Sequence, residues 1–176
     1  WPATPVCHAC AARFAPPHPR CTGCASRHLP QGDLCPDCAF PAAPPALTTC
    51  VAALDYAYPW DGLIARFKFQ AEVGWAGVFA RFMVQAPGAQ ALLRGADLVT
   101  PVPLTARRVA DRGQHPPWEL IKALHALAPL PGHPDLLMRL AEVPDQHSLP
   151  RSRRLHNLQG VFAVHPSHLA GLRGRR

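Results

Sequence analysis

Three Cys-x-x-Cys pairs, each separated from the next by ten residues, constrain the first 38 residues more than any other feature of the chain. We call them the first knuckle (Cys7 and Cys10), the second knuckle (Cys21 and Cys24) and the third knuckle (Cys35 and Cys38). Two residues between cysteines let a tight turn aim both thiolates at one ion, and two such pairs complete a tetrahedral zinc site. A disulfide framework is the alternative, but adjacent pairs of this kind make poor structural disulfides, and we identify no secretory signal before them. The spacing therefore predicts structural zinc, because four thiolates leave no open position for water or substrate.

An odd number of knuckles leaves one pair over. We predict that the second and third knuckles hold the ion, because only ten residues separate them. The first knuckle lies beyond a Pro-rich turn, so we predict that Cys7 and Cys10 belong to a second site whose other half lies upstream of Trp1. Cys50 stands alone among apolar residues and is interpreted as a small buried hydrophobic side chain.

Composition divides the chain into two parts. Ten of its 22 prolines precede residue 46, and a segment so rich in proline buries little apolar surface without a metal. We predict a zinc-ribbon module with a Pro-rich linker over residues 1–46 and a second domain over residues 47–176. No apolar run approaches the roughly 20 residues that span a bilayer, so membrane insertion is not expected. The free thiols indicate the cytoplasm.

The net charge of +7 lies entirely in the second part. Residues 1–58 contain three Arg and three Asp, whereas residues 59–176 contain 15 basic and eight acidic residues. Arginine matches phosphate oxygens with two parallel hydrogen bonds, so the pattern favours a nucleic acid or a phosphorylated small molecule as partner. A solvated basic surface explains the charge equally well.

Apolar patterning in the second domain predicts four strands, over residues 50–58, 98–102, 136–140 and 161–164. It also predicts helices over residues 60–70, 75–85 and 118–128, and one that bears Arg151, Arg153, Arg154 and Asn157. Strand 98–102, a basic loop over residues 101–113 and the next helix make half of a parallel crossover unit. Ligands of such sheets bind beyond the carboxyl ends of the strands, so this loop is the predicted ligand site. The ten histidines are scattered, and His147 and His156 are interpreted as surface groups.

Several short blocks recur in the order of a known family. They are the three knuckles, residues 55–60, 63–64, 67–69, 99–104, 112–113 and 146–149, and Arg154, Asn157, Gly160, Val161 and Phe162. Together these blocks resemble the ComF family of competence proteins, in which a zinc module precedes a type I phosphoribosyltransferase-like domain. The implied fold class is α/β: an incomplete phosphoribosyltransferase-like parallel sheet with helices, preceded by a small four-cysteine zinc ribbon.

The resemblance also implies ligands. Arg107, Arg108, Arg112 and Gly113 fall in the position of the family's pyrophosphate-side loop and are predicted to bind phosphate. Arg151, Arg153 and Arg154 are predicted to bind nucleic acid. The family's phosphoribosyl-pyrophosphate loop is expected just after Arg176, so transfer chemistry is not expected from these 176 residues.

Three functions follow as hypotheses. The first, implied by the resemblance, is the handling of incoming single-stranded DNA in natural transformation. The second is a phosphoribosyltransferase with a nucleotide-type substrate, which would use magnesium together with phosphoribosyl pyrophosphate. The third is a zinc-ribbon assembly module that docks a DNA-translocating helicase.

Overall fold

The computed structural model describes residues 5–27, 32–41, 47–144 and 146–175. The predicted linker at residues 42–46 lies outside this described part. The helices are α1 (His8–Phe14), α2 (Pro36–Ala39), α3 (Trp60–Phe69), α4 (Trp75–Gln85), α5 (Ala89–Arg94), α6 (Ala106–Arg112), α7 (Pro116–His125) and α8 (Arg151–Asn157). Two strands, β1 (Leu137–Arg139) and β2 (Phe162–Val164), and two 3-10 helices, Gln146–Ser148 and Pro166–Gly171, complete the described elements.

The apolar core lies among helices α3, α4 and α7, which we call the body. Trp60, Phe67 and Phe79 are each at least 94% buried. The rings of Phe67 and Phe79 meet edge to face with centroids 5.6 Å apart, a favourable arrangement for aromatic pairs. Helix α4 packs against α7, α5 and α3 and so forms the centre of the body. The predicted helices over residues 60–70 and 75–85 are confirmed with bounds that agree within one residue.

The helix of the first knuckle docks on this core. Phe14, at the end of α1, packs against the buried cluster around Trp60. The Trp60 indole Nε1–H donates a hydrogen bond of 2.6 Å to the Phe14 carbonyl oxygen. A buried indole N–H needs a partner, and here the amino-terminal segment supplies it. The amino-terminal segment therefore contributes apolar contacts to the core of the body.

The prediction of a parallel sheet is wrong for the residues that the structure describes. Strands β1 and β2 form where two strands were predicted, but they pair antiparallel, with Leu137 opposite Val164 and Arg139 opposite Phe162. The predicted strand at residues 98–102 is reduced to one parallel bridge, between Val99 and Gly132, and residues 50–58 contain no strand. Proline at positions 101 and 103 has no N–H to donate, so the ladder cannot extend beyond this bridge.

The predicted ligand loop at residues 101–113 is half helical. Thr105 caps α6, because its side-chain oxygen accepts a hydrogen bond of 3.3 Å from the Arg108 N–H. Gly113 ends the helix with a φ of 64°, a left-handed conformation that glycine adopts without strain. Three of the seven residues in α6 are arginines, and arginine has a high helix propensity. The basic segment is therefore a short helix, and the prediction of a loop is corrected.

Candidate metal centre

The second and third knuckles converge on one point. The sulfur atoms of Cys21, Cys24, Cys35 and Cys38 all lie within 4.8 Å of one another, and we call this group the cysteine cluster. The Cys24 and Cys35 sulfurs are 3.8 Å apart. Four sulfurs bound at 2.3 Å to a tetrahedral ion lie about 3.8 Å from each other. The four side chains are therefore positioned to bind one metal ion, as the spacing predicts.

The backbone of the second knuckle creates the space for this convergence. A Cβ atom on Gly23 would lie 3.0 Å from both the Cβ and the Sγ of Cys38. Contacts that short are tighter than most real Cβ contacts, so a larger residue here would require Cys38 to shift by a few tenths of an ångström. Just after the knuckle, Ala25 has a φ of 59°, and its N–H donates to the Cys21 carbonyl oxygen at 2.7 Å. This turn brings Cys21 and Cys24 onto the same side of the chain.

Backbone hydrogen bonds join the two knuckles to each other and to the chain that follows. The Thr22 N–H donates to the Asp33 carbonyl oxygen at 2.8 Å, just before the third knuckle. The Cys50 N–H donates to the Thr22 carbonyl oxygen at 2.7 Å, and the Thr49 hydroxyl bonds to the same oxygen at 3.1 Å. Cys50, predicted to be buried, is half-buried at this junction.

Hydrogen bonds shift the pKa values of three of the cluster's thiols in different directions. The Cys35 N–H, 3.3 Å from the Cys21 sulfur, is the main cause that lowers the pKa of Cys21 to about 6. The Ser26 hydroxyl, 3.0 Å from the Cys24 sulfur, lowers the pKa of Cys24. The pKa of Cys38 is raised, chiefly because its thiol donates a hydrogen bond to Cys21. Like charges at this distance oppose full ionisation, and a divalent cation removes that opposition.

The first knuckle lies apart from the cysteine cluster. Cys7 caps α1, and its sulfur accepts a hydrogen bond of 3.4 Å from the Cys10 N–H. This bond lowers the pKa of Cys7, and the Cys7 sulfur in turn raises the pKa of Cys10. Both side chains are exposed, and within the described residues no third ligand joins them. A second metal site at Cys7 and Cys10 stays a prediction.

A carboxylate joins the second knuckle to the segment that enters the body. Asp55 forms ion pairs with Arg20, at 2.8 Å, and with Arg27, so the two arginines that flank the knuckle share one partner. Burial by itself raises the pKa of Asp55, but the hydrogen bonds from Arg27 and Arg20 outweigh it and lower the pKa. Cysteine spacing gave no signal for this contact, because the partners are 35 and 28 residues apart.

The predicted anion ligands occupy two separate helices. On α6, Arg107 is exposed and lies 3.7 Å from Asp111, while Arg108 is half-buried. On α8, Arg153 and Arg154 are exposed, and the Arg154 guanidinium donates to the Leu149 carbonyl oxygen at 2.8 Å. The side chains of Arg112 and Arg151 lie outside the described part. Helices α6 and α8 are not among the element pairs that pack closely, so the structure does not bring the two sets together through helix packing.

A wide cleft of about 990 Å³ borders the second knuckle, and no sequence pattern predicts it. Its walls come from residues 18–22, residues 48–52 and the chain around α5, with Arg175 at one side. None of the predicted anion ligands lines it. Arg20 and Arg175, which do line it, are paired with Asp55 and Asp97.

No family model matches the chain, and no curated protein or solved structure was found to be similar to it. Among the helices of the described residues, none has the length and apolar character needed to cross a membrane.

Proposed function

We propose that the cysteine cluster holds one structural Zn²⁺ ion. The observation that carries this proposal is the gathering of four sulfurs within 4.8 Å, with one pair at 3.8 Å. A set of four thiolates suits soft or borderline ions, and tetrahedral geometry with sulfur ligands is typical of zinc. Because all four positions would be filled by the protein, the ion stabilises the fold and takes no part in catalysis.

We further propose that the metal-stabilised protein binds single-stranded DNA in the cytoplasm. The support is the segregation of charge: residues 1–58 are neutral, and the excess of seven positive charges lies after them. Phosphate contacts from arginine supply sequence-independent affinity for a nucleic-acid backbone. On the ComF resemblance, the DNA is the strand that enters during natural transformation, and a DNA-translocating helicase delivers it.

The exposed arginines of α6 and α8 are the proposed contacts. Arg107 forms a surface ion pair with Asp111, which costs little to break. Arg153 is exposed, and Arg154 uses one guanidinium N–H on the Leu149 carbonyl oxygen, which leaves others for phosphate. Each helix can therefore offer cations to a strand that passes over it.

The test is the salt dependence of binding to a fluorescent single-stranded oligonucleotide. Affinity should fall steeply as salt rises, by about 0.7 unit of logarithmic slope for each phosphate contacted. The double variants R107A/R108A and R153A/R154A should each reduce this slope by about one to two units. The double variant R81A/R94A removes the same charge from exposed positions on α4 and α5 and should leave the slope nearly unchanged.

An affinity that does not change with salt would contradict electrostatic binding. A slope reduced equally by all three double variants would show a general charge effect and contradict the assignment to α6 and α8. Full binding after removal of both arginine pairs would also contradict that assignment. No contact in the described residues favours phosphoribosyl transfer: neither strand leads into adjacent acidic residues, and this alternative stays a prediction.

A further inference from the structure

Three of the ten histidines meet on the side of the small sheet. His133 precedes β1, His165 directly follows β2, and His168 lies in the 3-10 helix Pro166–Gly171. The ring centroids of His133 and His168 are 5.8 Å apart, and so are those of His165 and His168. Two imidazoles bound to one tetrahedral zinc ion place their centroids about 5 Å apart. The central ring of His168 therefore has two neighbours at nearly the separation that a shared ion requires.

A carboxylate completes the group. The His168 Nε2 atom lies 3.5 Å from the Asp135 Oδ2 atom. That distance is too long for a good hydrogen bond, and this buried Nε2 atom has no hydrogen-bond partner among the described residues. Two ligand atoms that each lie about 2.1 Å from a tetrahedral ion are about 3.4 Å apart. The pair is therefore spaced as two ligands of one ion would be.

The third imidazole is oriented by a serine. The His165 Nδ1 atom lies 2.7 Å from the Ser167 hydroxyl. The Ser167 N–H donates to the same Nδ1 atom at 3.3 Å, so in the metal-free ring the proton lies on Nε2. Binding of an ion at Nε2 requires that proton to move to Nδ1, which then donates to the Ser167 hydroxyl, as the second ring nitrogen of a histidine ligand commonly does.

We propose that His133, His165, His168 and Asp135 bind one divalent transition-metal ion at a site separate from the cysteine cluster. Imidazole and carboxylate donors suit Zn²⁺, Co²⁺ and Ni²⁺. Within the described residues, the cysteine cluster is the group whose ligand atoms already lie within 4.8 Å, so the side chains of the histidine site must move closer together to share one ion. His133, His165 and His168 are only half-buried, so an ion can reach them from solvent.

The experiment uses the full chain with its cysteine site already filled with Zn²⁺. Calorimetric titration with further Zn²⁺ should show one additional equivalent. Co²⁺ should bind the same site with an absorption spectrum that lacks a sulfur-to-metal charge-transfer band, since no thiolate takes part. Co²⁺ does not displace zinc from the first site, because its affinity for a given ligand set is lower.

H168A and H133A should each weaken the additional binding at least tenfold, and S167A should weaken it by about tenfold through loss of ring orientation. H156A removes an exposed imidazole on α8 and should leave it unchanged. Unchanged circular dichroism confirms the fold of each variant, and H133A, from a different segment, replaces H168A if that variant is unfolded. The proposal would be overturned if no additional equivalent of Zn²⁺ bound, or if H168A, H133A and H156A bound it equally well. A thiolate charge-transfer band with Co²⁺ would also overturn it.

Discussion

The module around the cysteine cluster and the body of α3, α4 and α7 are held together by different forces. Among the described residues 5–27 and 32–41, the one buried side chain is Cys21. The body, by contrast, buries two large aromatic side chains on α3, Trp60 and Phe67, and a third on α4, Phe79. The module has sulfur ligands and backbone hydrogen bonds where the body has apolar contacts. With the proposed zinc ion bound, one region of the chain is stabilised by a metal site and the other by the hydrophobic effect.

This difference predicts that each region unfolds in response to a different perturbation. The two regions are nevertheless in direct contact. Asp55 pairs with the arginines beside the second knuckle, and Phe14 packs against Trp60. Loss of one region should therefore weaken the other without abolishing it.

Removal of the metal should have the largest effect. Structural zinc contributes an apparent binding free energy of about 10–16 kcal/mol in small zinc-dependent folds. A strong chelator should abolish amide protection in residues 21–27 and 32–38, as measured by hydrogen exchange, while the helices of the body keep most of their protection. Loss of protection in both regions at once would contradict the comparison.

Truncation of a buried aromatic side chain should unfold the body selectively. F79A removes a ring that is 6% exposed and contacts Phe67, so it should lower the free energy of unfolding by about 3–5 kcal/mol. F69A is the matched control, because Phe69 is 63% exposed, and it should cost far less. Metal content should be unchanged in both variants. A loss of metal in F79A would show that the body and the module are not separable.

Gly23 offers a test inside the module. The added methyl group in G23A would lie 3.0 Å from the Cys38 sulfur, so metal affinity should fall at least tenfold in a competition assay with a chromophoric chelator. G77A adds a methyl group where nothing lies within 4 Å and should leave metal affinity unchanged. Since Gly77 is inside α4, that variant should stabilise the body by about 0.5–1 kcal/mol. Wild-type affinity in G23A would contradict the close approach of Cys38.

Asp55 should have the smallest effect, because its ion pairs are partly exposed to solvent. D55N should lower the free energy of unfolding by about 1 kcal/mol, more than D111N, whose ion pair with Arg107 is mostly exposed. Because the folded pKa of Asp55 is lowered, its stabilisation is present above the unfolded value of about 3.9 and is lost as pH falls through the folded pKa. The difference between wild type and D55N at matched metal saturation should be constant from pH 6 to 8. A difference that grows on acidification below pH 4 would contradict this sign.

The spacing of residues along the chain was sufficient to predict the features that depend on residues close in sequence. Helix α4 has the predicted bounds, because Trp75, Val78, Phe79 and Phe82 repeat at helical spacing. The cysteine cluster was predicted because each knuckle is a local turn and only ten residues separate the two pairs.

The predictions that failed depend on contacts between segments that are far apart in the sequence. Whether residues 98–102 form a strand depends on neighbouring strands, and here a single bridge to Gly132 forms before the prolines intervene. The grouping of His133 with His165 and His168 depends on the antiparallel pairing of β1 with β2, so the histidines look scattered in the sequence. Arginine-rich segments such as residues 106–112 fit a loop or a helix equally well, and the Thr105 cap decides for the helix.

The central claim is that one tightly held metal ion is bound by the second and third knuckles and by neither cysteine of the first. The most direct measurement is the metal content per chain after exhaustive dialysis against a weak chelator, which removes loosely bound ions. Wild type and C7S/C10S should each retain one zinc, and C24S should retain almost none. Two tightly held ions in wild type with one lost in C7S/C10S, or a full equivalent in C24S, would contradict the account.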